Sequence, residues 1–211
     1  MNARPARAPM IAPHPGLDLR EDRLVWDGRF PLQIVRFTHA RFDGGRSAEM
    51  VWELWRRGRS VALLPYDPWS DRLCLIEQFR LPAHAAGLDP VMLECVAGFV
   101  EPDEAPEAAA RRETGEEAGL SPDLLESLGP TMLAQGGCDE VMEIFCGRVR
   151  LPEASEATHG LAAEGEDIRL RLMAAGDAFA LLDGGGIRNA TAALALWWLR
   201  HHRPRLRKEW T

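Results

Sequence analysis

The amino-acid sequence predicts an α/β (α+β) chain, with a mixed β-sheet sandwiched by helices and a small antiparallel sheet before it. Three observations support this expectation: alternating apolar segments early in the chain, apolar runs of strand length in its middle, and helical patterns between and after those runs. Strands interleaved with helices in this way are typical of a sheet covered by helices. The 211 residues and 46% hydrophobic content suit one main domain with a small appendage.

The composition argues against several classes of protein. Lys and Arg total 25 against 32 Asp and Glu, and the formal net charge of −7 disfavours nucleic acid as a partner. The longest apolar run, 192–199, is far shorter than the ~20 residues that a membrane span needs, so we expect no membrane association. The cysteines form no CxxC pair, which is typical of buried thiols in a reducing compartment and predicts a cytoplasmic protein. They are Cys74, Cys95, Cys138 and Cys146.

The chain divides into three segments. Residues 1–16 contain Pro and Arg without a sustained apolar stretch, which predicts a disordered arm rather than a signal peptide. Residues 17–58 contain short alternating segments separated by Asp-Gly at 27–28 and Gly-Gly at 44–45. Both dipeptides are signals of hairpin turns, so we expect a small antiparallel sheet there. Residues 59–211 are expected to form the main domain.

Apolar runs in the main domain predict its strands. VALLPYD and RLCLIEQFR are separated by the turn-forming DPWSD, a pattern typical of two paired strands. LECVAGFV follows as a further strand-like run. The predicted strands cover residues 61–67, 72–80, 93–100, 131–135, 141–149 and 168–173.

A helix follows the third of these strands. Alanines fill the body of the segment, Asp103 is a suitable N-cap, and Pro106 is tolerated in a first turn. Gly119 stands where a left-handed C-cap residue is needed. Two further helices are expected near the end of the chain, over GDAFALLDGG and after Asn189 as an N-cap.

The most informative feature of the first helix is its acidic end. Glu113, Glu116 and Glu117 are spaced i, i+3 and i+4, so their side chains share one face. Two carboxylates about 5–6 Å apart repel by about 3 kcal/mol at an effective dielectric of 20, and the dipole at a helix C-terminus also disfavours them. A solvated acidic face is the ordinary explanation, but Arg111 and Arg112 neutralise only part of this charge. Mg²⁺ offsets such repulsion and retains waters for a phosphate substrate.

The residues around the acidic helix form a longer pattern. Ala97 and Gly98 precede the turn into the helix, where small residues let the backbone, including a carbonyl, approach a cation. Residues 98–120 resemble the Nudix box, G-x5-E-x7-R-E-U-x-E-E-x-G-U, at every fixed polar and glycine position over 23 residues. The one departure is Thr114, where the family usually has an aliphatic residue.

The resemblance to the Nudix family implies a loop–helix–loop that binds Mg²⁺, with Mn²⁺ as the alternative and two or three ions per site. It also implies that Glu113 and Glu117 are catalytic as principal metal ligands. The full set of implied metal ligands in this part of the chain is Ala97 through its carbonyl, Glu113, Glu116 and Glu117. The ion pair implied to hold loop and helix together is formed by Glu104 and Arg112.

The resemblance extends over roughly residues 18–211 and points to the bacterial ADP-ribose pyrophosphatases, as in ALLPYDPWSDRLCLIEQFR and HGLAAEGEDIRLRLM. It implies Mg²⁺-dependent hydrolysis of the pyrophosphate of ADP-ribose to AMP and ribose 5-phosphate. In that subfamily, the loop after the last core strands supplies a general base and another metal ligand, which match Glu164 and Glu166 here. A flexible acidic loop is the alternative interpretation of this segment.

Further substrate contacts are implied by position. Arg80 matches an arginine that binds the phosphates of the substrate, and Arg57 and Glu53 match residues near the adenine and the dimer edge. Phe30 matches an aromatic residue that packs on the adenine from the partner subunit, and Phe99 of the box completes the substrate-binding set. The resemblance thus implies a homodimer in which the N-terminal sheet is exchanged between subunits.

Two positions keep other functions open. Gln135 stands where ADP-ribose enzymes usually carry a proline, and Trp52 departs from the expected residue type. Both favour the alternative of a Nudix hydrolase acting on another nucleoside diphosphate sugar, for example GDP-mannose. A Nudix-fold metabolite sensor without turnover is a further alternative, but the intact carboxylates at 113, 116 and 117 argue against it.

Overall fold

The computed structural model of the chain describes residues 11–154, 158–161, 163 and 165–211. The chain forms two compact units. The first consists of Met1–Gly58 with Ala134–Val141, and the second of Arg59–Leu133 with Met142–Thr211. Most of the segment predicted as a disordered arm, residues 1–10, lies outside the described residues.

The first unit contains a three-stranded antiparallel sheet in the order β1-β2-β3. Its strands are β1 (Leu17–Trp26), β2 (Leu32–His39) and β3 (Met50–Trp55). The Asp-Gly and Gly-Gly dipeptides both fall between paired strands, as the turn signals predicted. The small antiparallel sheet expected before the main domain is therefore confirmed.

A segment from later in the chain belongs to this first unit. The backbone N–H of Trp55 donates to Gly137, at 2.8 Å, and that of Asp139 donates to Trp55, at 3.1 Å. The prediction of a strand over 131–135 is wrong for most of its length, because the strand before this segment covers Leu124–Met132. The apolar run at 131–135 marks the end of that strand and the start of a turn.

The second unit contains the larger sheet. Its strands are β4 (Arg59–Asp67), β5 (Arg72–Phe79), β6 (Val91–Glu94), β7 (Val96–Phe99), β8 (Leu124–Met132), β9 (Val141–Arg148), β10 (Thr158–His159) and β11 (Ile168–Ala174). The order along the sheet is β10-β11-β5-β4-β9-β8, with β6 paired to β5 and β7 paired to β4. The single strand predicted over 93–100 is thus two strands, because the chain passes at Cys95 from pairing with β5 to pairing with β4.

The helices of this unit are α1 (Leu81–Ala85), α2 (Pro106–Ala118), α3 (Ala175–Asp183) and α4 (Ala190–Glu209). Gly119 ends α2 in the left-handed conformation, as predicted, and the Asn189 side chain caps α4 by accepting from Ala192 N–H. The prediction that Asp103 is the N-cap of α2 is wrong. Ala105 holds that position, and Asp103 lies in the preceding turn with φ of 66°.

Alternate residues of β4 pack in different hydrophobic clusters. Val61 and Leu63 pack with buried alanines of α2. Ala62 and Leu64 belong to a larger cluster with residues of α3 and α4. Because neighbouring side chains of a strand point to opposite faces, the sheet is covered by α2 on one face and by α3 and α4 on the other. The expected α+β class, with a sheet between helices, is confirmed. No helix of the described residues is long and apolar enough to cross a membrane.

Candidate active site

A turn between β7 and α2 fixes the start of the acidic helix. Glu104 N–H donates to the carbonyl of Glu101, and Glu101 N–H donates to Glu104 Oε2 at 3.0 Å. Arg112 Nε lies 3.0 Å from Glu104 Oε1, and its Nη2 lies 3.1 Å from Oε2. The guanidinium thus binds both oxygens of one carboxylate, a strong and directional arrangement. It ties the turn to the second and third turns of α2.

The same guanidinium contacts two more carboxylates. Arg112 Nη1 donates to Glu113 Oε1 at 2.8 Å and to Glu116 Oε2 at 3.0 Å, and Nη2 donates to the carbonyl of Phe99 at 3.1 Å. One positive charge therefore faces three negative charges, with Glu104 included. Arg112 organises the end of β7 and the face of α2, but it leaves an excess of negative charge there.

Glu117 is the most buried of the acidic side chains on α2, at 2% exposure. Its Oε2 accepts a hydrogen bond from the backbone N–H of Ala97 at 3.0 Å. Ala97 lies in β7, opposite Ala62 of β4, so this bond joins the helix to the sheet. The structure thus places Ala97 beside Glu117 through its N–H group.

Gly98 leaves the space that the carboxylate of Glu113 occupies. A Cβ atom at position 98 would lie 1.9 Å from Glu113 Oε1, a separation that no side chain can adopt. A side chain at position 98 would force the Glu113 carboxylate to move, so glycine keeps that carboxylate against the backbone, and the φ of Gly98, outside the left-handed region, adds no further need for glycine. Position 98 therefore connects strand and helix sterically.

Burial and mutual repulsion make these carboxylates hard to ionise. Burial, followed by the charges of Glu166 and Glu113, raises the pKa of Glu117 to about 8, although the Ala97 hydrogen bond and Arg80 oppose the shift. Burial also raises the pKa of Glu113, with Glu116 and Glu166 adding to the effect against Arg112. Repulsion of this kind is relieved by a cation. The arrangement is suited to binding one.

The loop before β11 contributes Glu166 to the same electrostatic group. Glu166 Oε2 accepts from the backbone N–H of Leu161 at 3.0 Å. Gly160 N–H donates to the carbonyl of Glu116 at 3.3 Å, which attaches the start of this loop to α2. At φ of 97°, Gly160 also accommodates Glu166, because a Cβ there would lie 2.7 Å from the Cβ of Glu166. Glu164, expected to be the general base, lies outside the described residues.

Arg80, expected to bind phosphate, lies at the end of β5. It pairs with Glu94, the last residue of β6, at 2.7 Å between Nη2 and Oε2. Burial lowers the pKa of Arg80, but the hydrogen bond to Glu94 and the charges of Glu94, Glu117 and Glu166 raise it by more. The structure therefore brings Arg80 into the field of the acidic group.

The expected substrate residues of the first unit form a group of their own. Arg57 lies over two aromatic rings, 4.5 Å from the ring centre of Phe30 and 4.8 Å from that of Trp55. Its Nε pairs with Glu140 at 2.7 Å. The two rings meet edge to face at 6.1 Å. Arg57 is thus held between aromatic rings and a carboxylate, which fixes its direction.

The remaining expected substrate residues have other neighbours. Glu53 is an exposed residue of β3, and Trp52 beside it packs edge to face on Phe37 at 5.4 Å. Phe99 lies in β7, opposite Ser60 of β4, and its carbonyl is the one that Arg112 binds.

The carboxylates present suit a hard divalent cation, which prefers oxygen ligands. Within the described ranges, no three carboxylate, imidazole or thiolate groups converge as a ready-made cation site. Arg112 engages one oxygen each of Glu113 and Glu116, and Ala97 engages one oxygen of Glu117. The donor chemistry fits the cation, and the charges that it would neutralise are grouped on α2 and the loop with Glu166.

Two residues that contact expected site residues were missed in the sequence. Glu94 binds Arg80, and Glu140 binds Arg57. Glu94 lies within the strand predicted over 93–100, Glu140 lies just before the one predicted over 141–149, and neither has a spacing relation to its arginine partner. Such pairs depend on which strands lie side by side, which the local sequence does not specify.

The chain is similar to a known family of proteins and to several of its members. A family model described as the NUDIX domain matches residues 56–193. A protein of Escherichia coli (strain K12), named ADP-ribose pyrophosphatase, is 39% identical over 186 residues, which cover 88% of this chain and 88% of that protein. A protein of the same name from Haemophilus influenzae is 33% identical over 197 residues, covering 92% of this chain and 90% of that protein.

Two further likenesses are more distant. A GDP-mannose pyrophosphatase of Yersinia pestis (strain Pestoides F) is 29% identical over 161 residues, covering 76% of this chain and 80% of that protein. A crystal structure described as an ADP compounds hydrolase superimposes with a TM-score of 0.69 at 22% identity, covering 93% of this chain and 100% of that chain. At that identity the superposition supports the fold.

Proposed function

This chain belongs to the NUDIX domain family, and on that premise we propose that it hydrolyses the pyrophosphate of ADP-ribose to AMP and ribose 5-phosphate with a divalent cation. The observation that carries the proposal is the pair of carboxylates of Glu113 and Glu117 on α2, whose pKa values are raised by burial and by neighbouring negative charge. The likeness to proteins named ADP-ribose pyrophosphatase over 88% of the chain supports the choice of substrate.

Mg²⁺ is the cation that we propose, with Mn²⁺ as its substitute and two or three ions per site. The proposed ligands are the Ala97 carbonyl and the carboxylates of Glu113, Glu116, Glu117 and Glu166. When bound, such ions neutralise charge on the phosphates and lower the pKa of a bound water. The protein itself holds anionic oxygens in place at the end of α2. Gly98 and Arg112 both contact the Glu113 carboxylate and fix its position.

Glu164 is proposed as the general base that takes a proton from the attacking water. The described residues on either side support this role. Gly160 N–H donates to the carbonyl of Glu116 on α2, and burial together with the charge of Glu166 raises the pKa of Glu117. Replacing Glu164 by Gln should lower kcat by about 10²–10⁴ without changing the melting temperature.

The substrate contacts are proposed in two groups. Arg80 binds the phosphates, and Phe99, which lies in β7 with Ala97, belongs to the same group of substrate contacts. Phe30, Glu53 and Arg57 bind the adenosine part, with Phe30 contributed by a partner subunit. The Arg57 guanidinium and the nearby rings of Phe30 and Trp55 form a cationic and aromatic group of the kind that contacts bases, which supports this assignment.

We further propose a homodimer that exchanges the sheet of the first unit. Supporting this, the sheet leaves large apolar side chains exposed, and exposed apolar groups of this size often mark an interface. They include Trp26 at 66%, Val51 at 50%, Trp52 at 44% and Trp55 at 43%. Light scattering at micromolar concentration should give a mass of two chains, and a monomer would contradict the exchanged site. A cytoplasmic location is proposed from the four buried, free cysteines.

Hydrolysis of GDP-mannose is the alternative, and Gln135 together with the 29% identical GDP-mannose pyrophosphatase favours it. A sensor without turnover is disfavoured, because a protein that does not bind a catalytic cation gains nothing from keeping repelling carboxylates on α2.

Chromatography of products tests the proposal. The protein is incubated with ADP-ribose and Mg²⁺, with EDTA and with the Glu117→Gln variant as controls. We expect AMP and ribose 5-phosphate from the wild type and neither product in the controls. Release of a nucleotide from GDP-mannose but not from ADP-ribose would favour GDP-mannose as the substrate. Binding of either compound without products would support a sensor.

A further inference from the structure

Glu94, the buried partner of Arg80, has no assigned task. The Glu94 side chain is 7% exposed, and both of its oxygens accept hydrogen bonds from Arg80. Arg80 Nε lies 3.1 Å from each oxygen, and Nη2 lies 2.7 Å from Oε2. In the described ranges, no other side chain forms a hydrogen bond with this carboxylate.

The backbone of Arg80 is tied to the same strand. Its N–H donates to the carbonyl of Pro90 at 2.8 Å, just before β6 begins, and Glu94 is the last residue of β6. Glu94 pairs in register with Ile76 of β5, the strand that Arg80 follows. Arg80 is therefore fixed at its backbone by one end of β6 and at its side chain by the other.

The pair is asymmetric in exposure. Glu94 is buried, whereas the Arg80 side chain is 39% exposed. Nε and Nη2 each give one N–H to Glu94, which leaves three of the five donors of the guanidinium for other partners. A planar guanidinium with donors to spare matches the oxygens of a pyrophosphate.

Stability is a poor reason for this arrangement. Burying a charge is costly, and a buried ion pair often stabilises a fold no better than apolar side chains of similar volume. Arg80 also feels the charges of Glu117 and Glu166. A guanidinium released from Glu94 would be drawn to those carboxylates and would compete with a cation for them.

We propose that Glu94 is a positioning residue for the reaction, which rests on the proposed function: it holds the guanidinium of Arg80 in place to receive the pyrophosphate of the substrate and keeps it away from the metal-binding carboxylates. Glu94 acts through Arg80 and does not touch the substrate. Its contribution should therefore disappear when Arg80 is absent.

A double-mutant cycle tests this dependence. KM and kcat for ADP-ribose with Mg²⁺ are measured for the wild type, Glu94→Gln, Arg80→Gln and the double variant. We expect Glu94→Gln to raise KM about tenfold, the loss typical of a charge-assisted hydrogen bond, with kcat changed by less than about threefold. In the Arg80→Gln background, the same substitution should leave KM unchanged.

Glu77→Gln is the matched control. Glu77 is also shielded, at 11% side-chain exposure, and pairs with Arg169 and Arg171. Glu77 follows Ile76 in β5, so the side chains of these two residues point to opposite faces of the sheet. Because Glu94 pairs with Ile76, the side chain of Glu94 lies on the face opposite to that of Glu77. The KM of Glu77→Gln should equal that of the wild type.

Equal effects of Glu94→Gln in both backgrounds, or a wild-type KM for Glu94→Gln, would overturn the proposal. If Glu94→Gln lowers the melting temperature too far for assay, Glu94→Asp replaces it in the same cycle, with the same two outcomes.

A second readout separates this proposal from the proposed function. Calorimetric titration with ADP in EDTA measures binding of a pyrophosphate without turnover. The dissociation constants should follow the same cycle, even for a protein that does not hydrolyse ADP-ribose. If the wild type produces no AMP, the proposed function is contradicted. If the changes in binding free energy caused by the two substitutions simply add in the double variant, the role of Glu94 is contradicted.

Discussion

Charged side chains are arranged differently in the first unit of this chain and on α2 of the second unit. In the first unit, arginines and carboxylates pair closely, as in Arg57 with Glu140 at 2.7 Å and Arg36 with Glu21 at 2.8 Å. In the second unit, Arg112 faces three carboxylates at once, and Glu117 has a backbone N–H as its partner. Charge is matched in those pairs of the first unit and left negative on α2 of the second.

The difference supports the proposed location of the active site on α2. Buried carboxylates that repel one another reduce stability, and Glu117 with a pKa raised to about 8 is the clearest example. Such a group persists when it serves a ligand that supplies the missing positive charge. The matched pairs of the first unit hold side chains in fixed directions, which suits the binding of a neutral base.

The largest expected effect comes from removing one of the unmatched charges. Glu117→Gln should lower kcat for ADP-ribose by about 10³, because it removes a proposed metal ligand and a preorganised charge. Steady-state assays with Mg²⁺ measure the loss. Glu107→Gln, an exposed acid in the first turn of α2, is the control and should retain the wild-type rate. Equal rates for both variants would contradict the importance of the buried carboxylate.

A steric change should act almost as strongly. Gly98→Ala places a methyl group where Glu113 Oε1 now lies, so the carboxylate must move by more than an ångström. A displacement of that size should lower kcat by about 10². Gly115→Ala lies in α2 with open space around its Cβ, and it should stabilise the helix by up to about 1 kcal/mol at an unchanged rate. Comparable losses for both glycines would show that position 98 has no special role.

A glycine that supports Glu166 can be compared with one far from the proposed site. Gly160 and Gly185 both have positive φ, of 97° and 73°, but a Cβ at 160 would lie 2.7 Å from the Cβ of Glu166, whereas a Cβ at 185 would enter open space. Gly160→Ala should therefore lower kcat by 10- to 100-fold, as expected when the support of the proposed metal ligand Glu166 is disturbed. Gly185→Ala, in the turn between α3 and α4, should retain the wild-type kcat. Equal losses of kcat for the two variants would contradict a specific role of Gly160.

In the first unit, we expect a substitution to weaken substrate binding rather than to slow turnover. Arg57→Gln removes the cation from between two rings and should raise KM for ADP-ribose about fivefold, roughly the 1 kcal/mol that such a contact contributes, with kcat within twofold. Initial rates over a range of substrate concentrations separate the two constants. A loss confined to kcat would place Arg57 in the chemistry instead.

The smallest effect concerns stability and pH in metal-free protein. The pKa of Glu117 is raised from 4.5 to about 8 on folding, so the folded state binds the proton more tightly. Its contribution to stability is complete below pH 4.5 and is lost as pH rises through about 8. With EDTA, Glu117→Gln should melt several degrees above the wild type at pH 8.5 and show only a small gain at pH 5, measured by calorimetry. An equal gain at both pH values would indicate a packing effect.

Much of the acidic helix could be predicted because its determinants are local. The i, i+3, i+4 spacing, the glycine at the end of α2 and the small residues before the turn are all read within 23 residues. The helix start was less predictable: Asp103 is a good N-cap residue, yet it adopts positive φ in the turn. The contacts of Glu104 within that turn involve both Glu101 and Arg112, and they move the start to Pro106.

The pairs that depend on strand neighbours could not be predicted. Glu94 meets Arg80 because β6 pairs with β5, and Glu140 meets Arg57 across 83 positions of sequence. The division of one predicted strand at Cys95 has the same origin, since the chain there changes its partner from β5 to β4. Long-range pairing selects these contacts, and hydrophobic periodicity does not record it.

A titration with Mn²⁺, followed by electron paramagnetic resonance, tests the central claim most directly. The claim is that the unmatched carboxylates of α2 hold a divalent cation. Wild-type protein and Glu107→Gln should bind Mn²⁺ equally, and Glu117→Gln should bind it at least about tenfold more weakly, the effect of losing one ligand. Equal affinity of all three proteins would contradict the claim, because the cation would then be held elsewhere.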